Sequence, residues 1–222
     1  MLKPLAAFSL FLFFASAAPA QILGTGLHDN FHDKSVLQPP AGSPVAIIVF
    51  EDLGCPACAH DHAIEADAAA KAHVPLIRYD FPIPNHIWTF QAAVCARYVQ
   101  DTLKNPSLAE QYRADVFKIQ AQINSKDDLQ NFTRNWFQKH GKQMPFALGP
   151  DSLFGLEVQA DYRLGERMGV VHTPTIIVLA PHGWVQVVDV AQLYTVIDQA
   201  LAQTAAGPVH GTLKKPIATG QH

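Results

Sequence analysis

The pattern of apolar and polar positions divides the chain into an apolar leader, two stretches of strand signal and a long helical stretch between them. Met1 to Pro4 carries one Lys, Leu5 to Ala15 is apolar except for Ser9, and Ala18-Pro19-Ala20 follows with small residues. This is the layout of a secretory signal peptide over residues 1–20, cut near Ala20. The apolar run is shorter than the roughly 20 residues a bilayer-spanning helix needs, which sets an uncleaved anchor behind that reading. Gln21 to Pro44 mixes Gly, Pro, His and Asp with a few apolar residues, Val36 and Leu37 among them, and reads as a lead-in with room for one short edge strand. Pro44-Val45-Ala46-Ile47-Ile48-Val49-Phe50 is a continuous apolar run, the signature of a strand buried on both faces. Pro56 to about His73 turns to Ala, Asp, Glu and Lys without an internal Pro or Gly, hence a helix, and Val74 to Phe81 is a second strand ended by Pro82 and Pro84. Strand, helix and strand in this order form a βαβ unit with a right-handed crossover and a parallel pair.

From Trp88 to Met168 the period changes. Trp88 to Leu103, Ser107 to Ile123, Ser125 to His140 and Asp151 to Met168 read as helices, with Ser107 and Ser125 as N-caps. Strand signal returns at Thr175 to Leu179. A turn at Pro181-His182-Gly183 leads to Trp184 to Val188, together a hairpin, and Asp189 caps a last helix from Val190 to about Gln203. The organisation expected is an α/β chain: 1–20 leader, 21–83 first half, 84–169 helical insertion, 170–205 second half and 206–222 flexible tail.

Composition removes several function classes. With 222 residues, 49% of them hydrophobic and 16% charged, the chain is an ordinary globular protein. A net charge of -3 and the absence of a Lys/Arg cluster among aromatics exclude nucleic acid as an expected partner.

The three cysteines carry the chemistry. A structural disulfide framework uses an even number at spacings that join distant segments, whereas Cys55 and Cys58 enclose only Pro56 and Ala57, and Cys95 stands alone. So short a loop restrains the unfolded chain little, which argues for reagent chemistry over a staple. Half a zinc site looks the same, and His60 and His62 lie nearby, but a structural zinc site draws on a second knuckle and this chain has no second Cys pair. Pro56 suits the first helical turn, so Cys55 stands ahead of a helix, at the positive end of its dipole and beside unpaired N–H groups. Such a setting lowers a Cys pKa from about 8.5 to between roughly 3.5 and 7. Cys55 is then the nucleophile and Cys58, one turn in, the resolving thiol.

Far downstream, Val171-His172-Thr173-Pro174-Thr175 puts a proline directly ahead of a β-branched strand, either as strand punctuation or as a cis peptide. Taken together, the β-run, Glu51-Asp52-Leu53-Gly54-Cys55-Pro56-Ala57-Cys58, the helix and Thr173-Pro174-Thr175 before a hairpin resemble the thioredoxin fold, over roughly Pro44 to Gln203. The helical insertion resembles the DsbA-type branch of thiol:disulfide oxidoreductases. The resemblance implies that Pro174 is cis and packs opposite the Cys pair, and that the Thr173 backbone meets substrate polypeptide as an added strand. It also implies that Asp52 matches an acidic residue common three positions before the first Cys. Many relatives carry a buried carboxylate six positions before that Cys, as proton acceptor for the second thiol; here Val49 stands there. Glu51 or a water then takes the proton, or resolution by Cys58 is slower.

Cys95, in Ala92-Ala93-Val94-Cys95-Ala96, is core packing or a third redox partner. His172 either approaches the Cys55 thiolate or faces water, and His60 is either a cationic neighbour or surface. Trp88, Phe90, Tyr98, Phe117, Phe132, Trp136 and Phe137 fall at helical spacings as the insertion's core. The function expected is an exported, periplasmic or secreted, monomeric oxidase of protein thiols. Its partners are unfolded or reduced polypeptides and a membrane redox protein that resets it, and no cofactor or metal is expected. A reductase or isomerase on the same fold, or a redox-inactive or metal-holding binding protein, is the alternative.

Overall fold

A computed structural model describes residues 31–145 and 149–205; the leader at 1–20 and the tail at 206–222 lie outside the described residues. The apolar run becomes β1 (Ala46–Glu51), buried along its whole length because strands flank it on both sides. The sheet order is β2-β1-β3-β4, with β2 (Leu76–Asp80) parallel to β1, and β3 (Thr175–Ala180) antiparallel to both β1 and β4 (Gly183–Val187). Residues 31–44 contain no strand, so the short edge strand allowed for in the lead-in is absent among the described residues. Phe31 and Leu37 there pack instead against the sheet, in one cluster with Phe50 and Leu179.

Alternation along β1 sends Val45, Ile47 and Val49 to one face and Ala46, Ile48 and Phe50 to the other. The first face is covered by α1 (Pro56–Ala72) through Ala68 and Ala69, and by α6 (Leu193–Ala205) through Leu193, Ile197 and Ala200. The second is covered by α5 (Leu153–Met168) through Leu164 and Met168. Helix α5 stops at Gly169, whose φ of +90° suits glycine and lets its N–H return to the carbonyls of Gly165 and Glu166.

The other insertion helices are α2 (Thr89–Asp101), α3 (Pro106–Ile119) and α4 (Lys126–Lys139). Ser125 caps α4, accepting from the Asp128 N–H. Ser107 does not cap α3. Asn105 does, accepting from Leu108 N–H, because Pro106 takes the first helical position and pushes the cap upstream. A short 3-10 turn, Gln120–Gln122, separates α3 from α4, and another, Val190–Gln192, capped by Asp189, leads into α6. Tyr112, Trp136 and Phe137 centre a separate core for α2–α4, and Cys55 and Cys58 belong to that core. The Cys pair therefore sits where sheet and insertion meet.

Candidate active site

Beyond β1 the chain turns through Asp52-Leu53-Gly54, and Asp52 holds that turn. One carboxylate oxygen accepts from Gly54 N–H at 2.9 Å; the other accepts from Ile83 N–H at 3.0 Å and meets His86 Nδ1 at 2.5 Å. The Asp52 carbonyl accepts from Cys55 N–H at 2.9 Å. A Cβ on Gly54 would lie 2.5 Å from Thr89 Cγ2 and 3.1 Å from His86 Nδ1, so only glycine lets the turn pack this closely. Cys55 is the N-cap of α1, in extended conformation, with Pro56 in the first turn. Across from it the Thr173–Pro174 peptide bond is cis, and the Cys55 thiol donates to the Thr173 carbonyl over 3.3 Å. Cys55 keeps 8% of its surface exposed against 1% for Cys58, so an incoming sulfur meets Cys55 first.

The two thiols have opposite acidities. A hydrogen bond from Cys58 does most to lower the Cys55 pKa, which falls to about 5 against the resistance of burial; the N–H groups of Cys58 and Ala57 add to the effect. Burial pushes Cys58 far above the ordinary thiol range, and its hydrogen bond to Cys55 and the charges of Cys55 and Glu51 push it further. One sulfur is thus a thiolate at neutral pH and the other a held thiol, the division of labour that thiol–disulfide exchange requires.

Beneath the pair lies a buried ion network. Arg78 donates to Glu51 at 2.8 Å, to Glu65 at 2.7 Å and to Glu110 at 2.9 Å. Arg113 donates to Glu51 at 2.8 Å and to Asp80 at 2.7 Å, and Arg97 joins Asp80 to Asp161. Burial and the neighbouring Glu51 raise Glu65 to about 7 although Arg78 opposes them. Glu51, His62 and Glu65 bring donor atoms within 4.8 Å of one another. The Arg78 guanidinium already joins the two carboxylates, so the group is an ion-pair network, not a metal centre.

Glu51 is therefore badly placed as a proton acceptor for Cys58. Its burial is overcome by the Arg78 and Arg113 guanidiniums, which hold it well below the usual carboxylate range and make it a weak base. The exposed His172 does not hydrogen-bond Cys55; its Nδ1 lies 3.1 Å from the Pro174 carbonyl oxygen. His60 is on the surface, paired with Asp61. Cys95 is buried near Tyr112 and Thr133, and burial raises it to about 12. Sequence reasoning missed Arg78, Glu65, Glu110, Arg113 and His86. The one available signal was His62, four residues after Cys58 and so on the same helix face.

The arrangement is a thioredoxin fold with a helical insertion. The family model described as thioredoxin matches residues 40–198, and the chain belongs to that family. Among solved structures it is similar to Wolbachia pipientis alpha-DsbA1, at 16% identity over 76% of this chain and 92% of that one, with a TM-score of 0.59. A putative protein-disulfide isomerase from Pseudomonas syringae aligns at 12% identity over 74% and 99%, TM-score 0.57. A linker-deletion mutant of Proteus mirabilis ScsC aligns at 15% over 75% and 74%, TM-score 0.56. No curated protein matches the sequence.

Proposed function

We propose that this protein is an exported thiol–disulfide oxidoreductase, working as a dithiol oxidase of reduced or unfolded polypeptides through Cys55 and Cys58. The observation that carries the reading is the opposed setting of the two sulfurs: Cys55 at the start of α1 against the Thr173 carbonyl, Cys58 sealed behind it. In the forward step a substrate thiolate attacks Cys55, the Cys55–Cys58 bond breaks, and Cys58 takes the electron pair and a proton. A second substrate thiolate then displaces Cys55, which leaves readily because its thiolate is stabilised. That stabilisation also favours the reduced enzyme and so makes its disulfide a stronger oxidant. Pro56 starts the helix, the Ala57 N–H supports the thiolate, and the Thr173 backbone beside Pro174 pairs with the substrate as an added strand. The names of the neighbours, a DsbA and a putative disulfide isomerase among them, support exchange chemistry. The apolar leader supports a periplasmic or secreted location, and an oxidase there needs an acceptor for its electrons, a role we assign to a membrane redox partner.

The test is the reduction potential of the Cys55–Cys58 couple against glutathione. A value near -120 mV supports the oxidase, and one near -270 mV assigns a reductase instead. Cys55→Ser and Cys58→Ser are each expected to abolish catalysed thiol oxidation, and Cys55 thiolate absorbance is expected to titrate near pH 5. Titration near pH 8.5 would remove the basis of the assignment.

A further inference from the structure

Cys58 creates a proton problem that the described site residues do not solve. Its thiolate is strongly disfavoured, so each opening of the Cys55–Cys58 bond requires a proton at a sulfur sealed from solvent. The same proton must leave when Cys58 attacks. Glu51, nearby, is committed to Arg78 and Arg113.

Along the buried face of α1, Cys58 is followed one turn later by His62 and a further turn on by Glu65. Residues four apart on a helix have Cβ atoms about 5–6 Å apart, so Cys58 and His62 lie side by side on that face. His62 is buried, and its Nδ1 has no hydrogen-bond partner although it lies 3.8 Å from Glu51. An unpartnered ring nitrogen in a buried site costs stability, so its presence calls for a role. On the other side, His62 Nε2 lies 3.8 Å from Glu110 on α3, whose side chain is 39% exposed. The ring also packs on Phe117 of α3, 5.0 Å between centroids, which fixes its place between interior and surface.

We propose that His62, with Glu110 at its solvent end, is the proton relay that serves Cys58; this rests on the exchange chemistry proposed above. When a thiolate bonds to Cys55 and the bond to Cys58 breaks, the electron pair goes to Cys58 Sγ and a proton passes from the imidazolium to that sulfur. The imidazole is reprotonated through Glu110. In reverse, Cys58 gives its proton to the imidazole as its sulfur attacks Cys55. The charged groups that face His62 are Glu51 from β1, Glu65 from α1 and Glu110 from α3, with the guanidiniums of Arg78 on β2 and Arg113 on α3 bound to those carboxylates. His62 is a positioning and relay residue, since it acts on Cys58 and not on the substrate.

The test uses the full chain, oxidised, and follows opening of its disulfide by glutathione in stopped flow across pH 5 to 9. The same proteins, reduced, are alkylated with iodoacetamide to read the Cys55 thiolate. His62→Gln is expected to slow opening about 100-fold at neutral pH and to remove an inflection from the pH profile. Alkylation should stay within about twofold, since Cys55 owes its acidity to other groups. Glu110→Gln, on a half-exposed side chain, removes the solvent end of the relay and is expected to slow opening about 10-fold while alkylation stays within about twofold. It carries the test if His62→Gln does not fold. Superimposable profiles for parent and variants overturn the relay, and so does an equal slowing of opening and alkylation, which marks a distorted Cys55 site. A parent whose Cys pair does not exchange with glutathione at all overturns the underlying function instead.

Discussion

Two elements that meet at the Cys pair, β1 and α1, change character along their buried faces. At the far end, β1 contributes Val45 and Ile47 and α1 contributes Ala68 and Ala69 to one dry cluster with α6. At the near end the same faces carry Glu51 on β1, and Glu65, His62 and Cys58 on α1, against Arg78 and Arg113. The apolar end is what hydrophobic burial stabilises without geometric precision. The charged end pays desolvation for every ion, and such networks are seldom more stable than the apolar packing that could replace them. Placed beside the Cys pair, it has a different effect: the charge of Glu51 is among the causes that hold Cys58 as a thiol.

Removing an arginine from the charged end should break that contrast most severely. Arg113→Met leaves Glu51 and Asp80 buried without one of their cations, and about 3–5 kcal/mol of stability is expected to be lost. The denaturant midpoint at pH 7 measures it, and a loss below about 1 kcal/mol would mean that the network is not energetically closed. Exchange through Cys55 and Cys58 should change as well, because Glu51 lies in the field of Cys58.

A cut at the apolar end should sharpen the contrast by its silence. Ile47 is fully buried in the dry cluster, and Ile47→Val is expected to cost about 1 kcal/mol while leaving the rate of disulfide opening unchanged. If that variant altered exchange as strongly as Arg113→Met, the two ends would not be functionally distinct.

The same contrast explains which parts of the molecule are legible in the amino-acid sequence. β1, α1, β2 and the hairpin are legible because each has a continuous apolar run or a clean break, and Cys55, Cys58 and Pro174 because their order along the chain is itself a pattern. The boundary at α3 is less legible: Ser107 is a good cap by type, but Pro106 hands the position to Asn105. The charged network is hidden for a firmer reason. A helix face carrying His62 and Glu65 reads as solvent-exposed by any hydrophobic pattern, and Arg113 reaches Glu51 across 62 positions of sequence. Only the fold shows that these are inward-facing. Val49 marks the same displacement, since Glu51 lies two residues on along the same face of β1.

Cys95 offers the smallest and most discriminating test of where the redox chemistry stops. It shares a core with Cys55 and Cys58, yet burial raises its pKa to about 12, and Tyr112 and Thr133 occupy its polar contacts. A thiol so rarely ionised at neutral pH is a poor nucleophile, because exchange runs through the thiolate. In Cys95→Ser a hydroxyl replaces the thiol beside two hydroxyl partners, so the change is expected to cost less than about 1 kcal/mol. Catalysed thiol oxidation should be unchanged within experimental error. A fall in oxidation without a fall in stability would make Cys95 a third redox partner. Unchanged oxidation confines the chemistry to the two sulfurs that the charged ends of β1 and α1 surround.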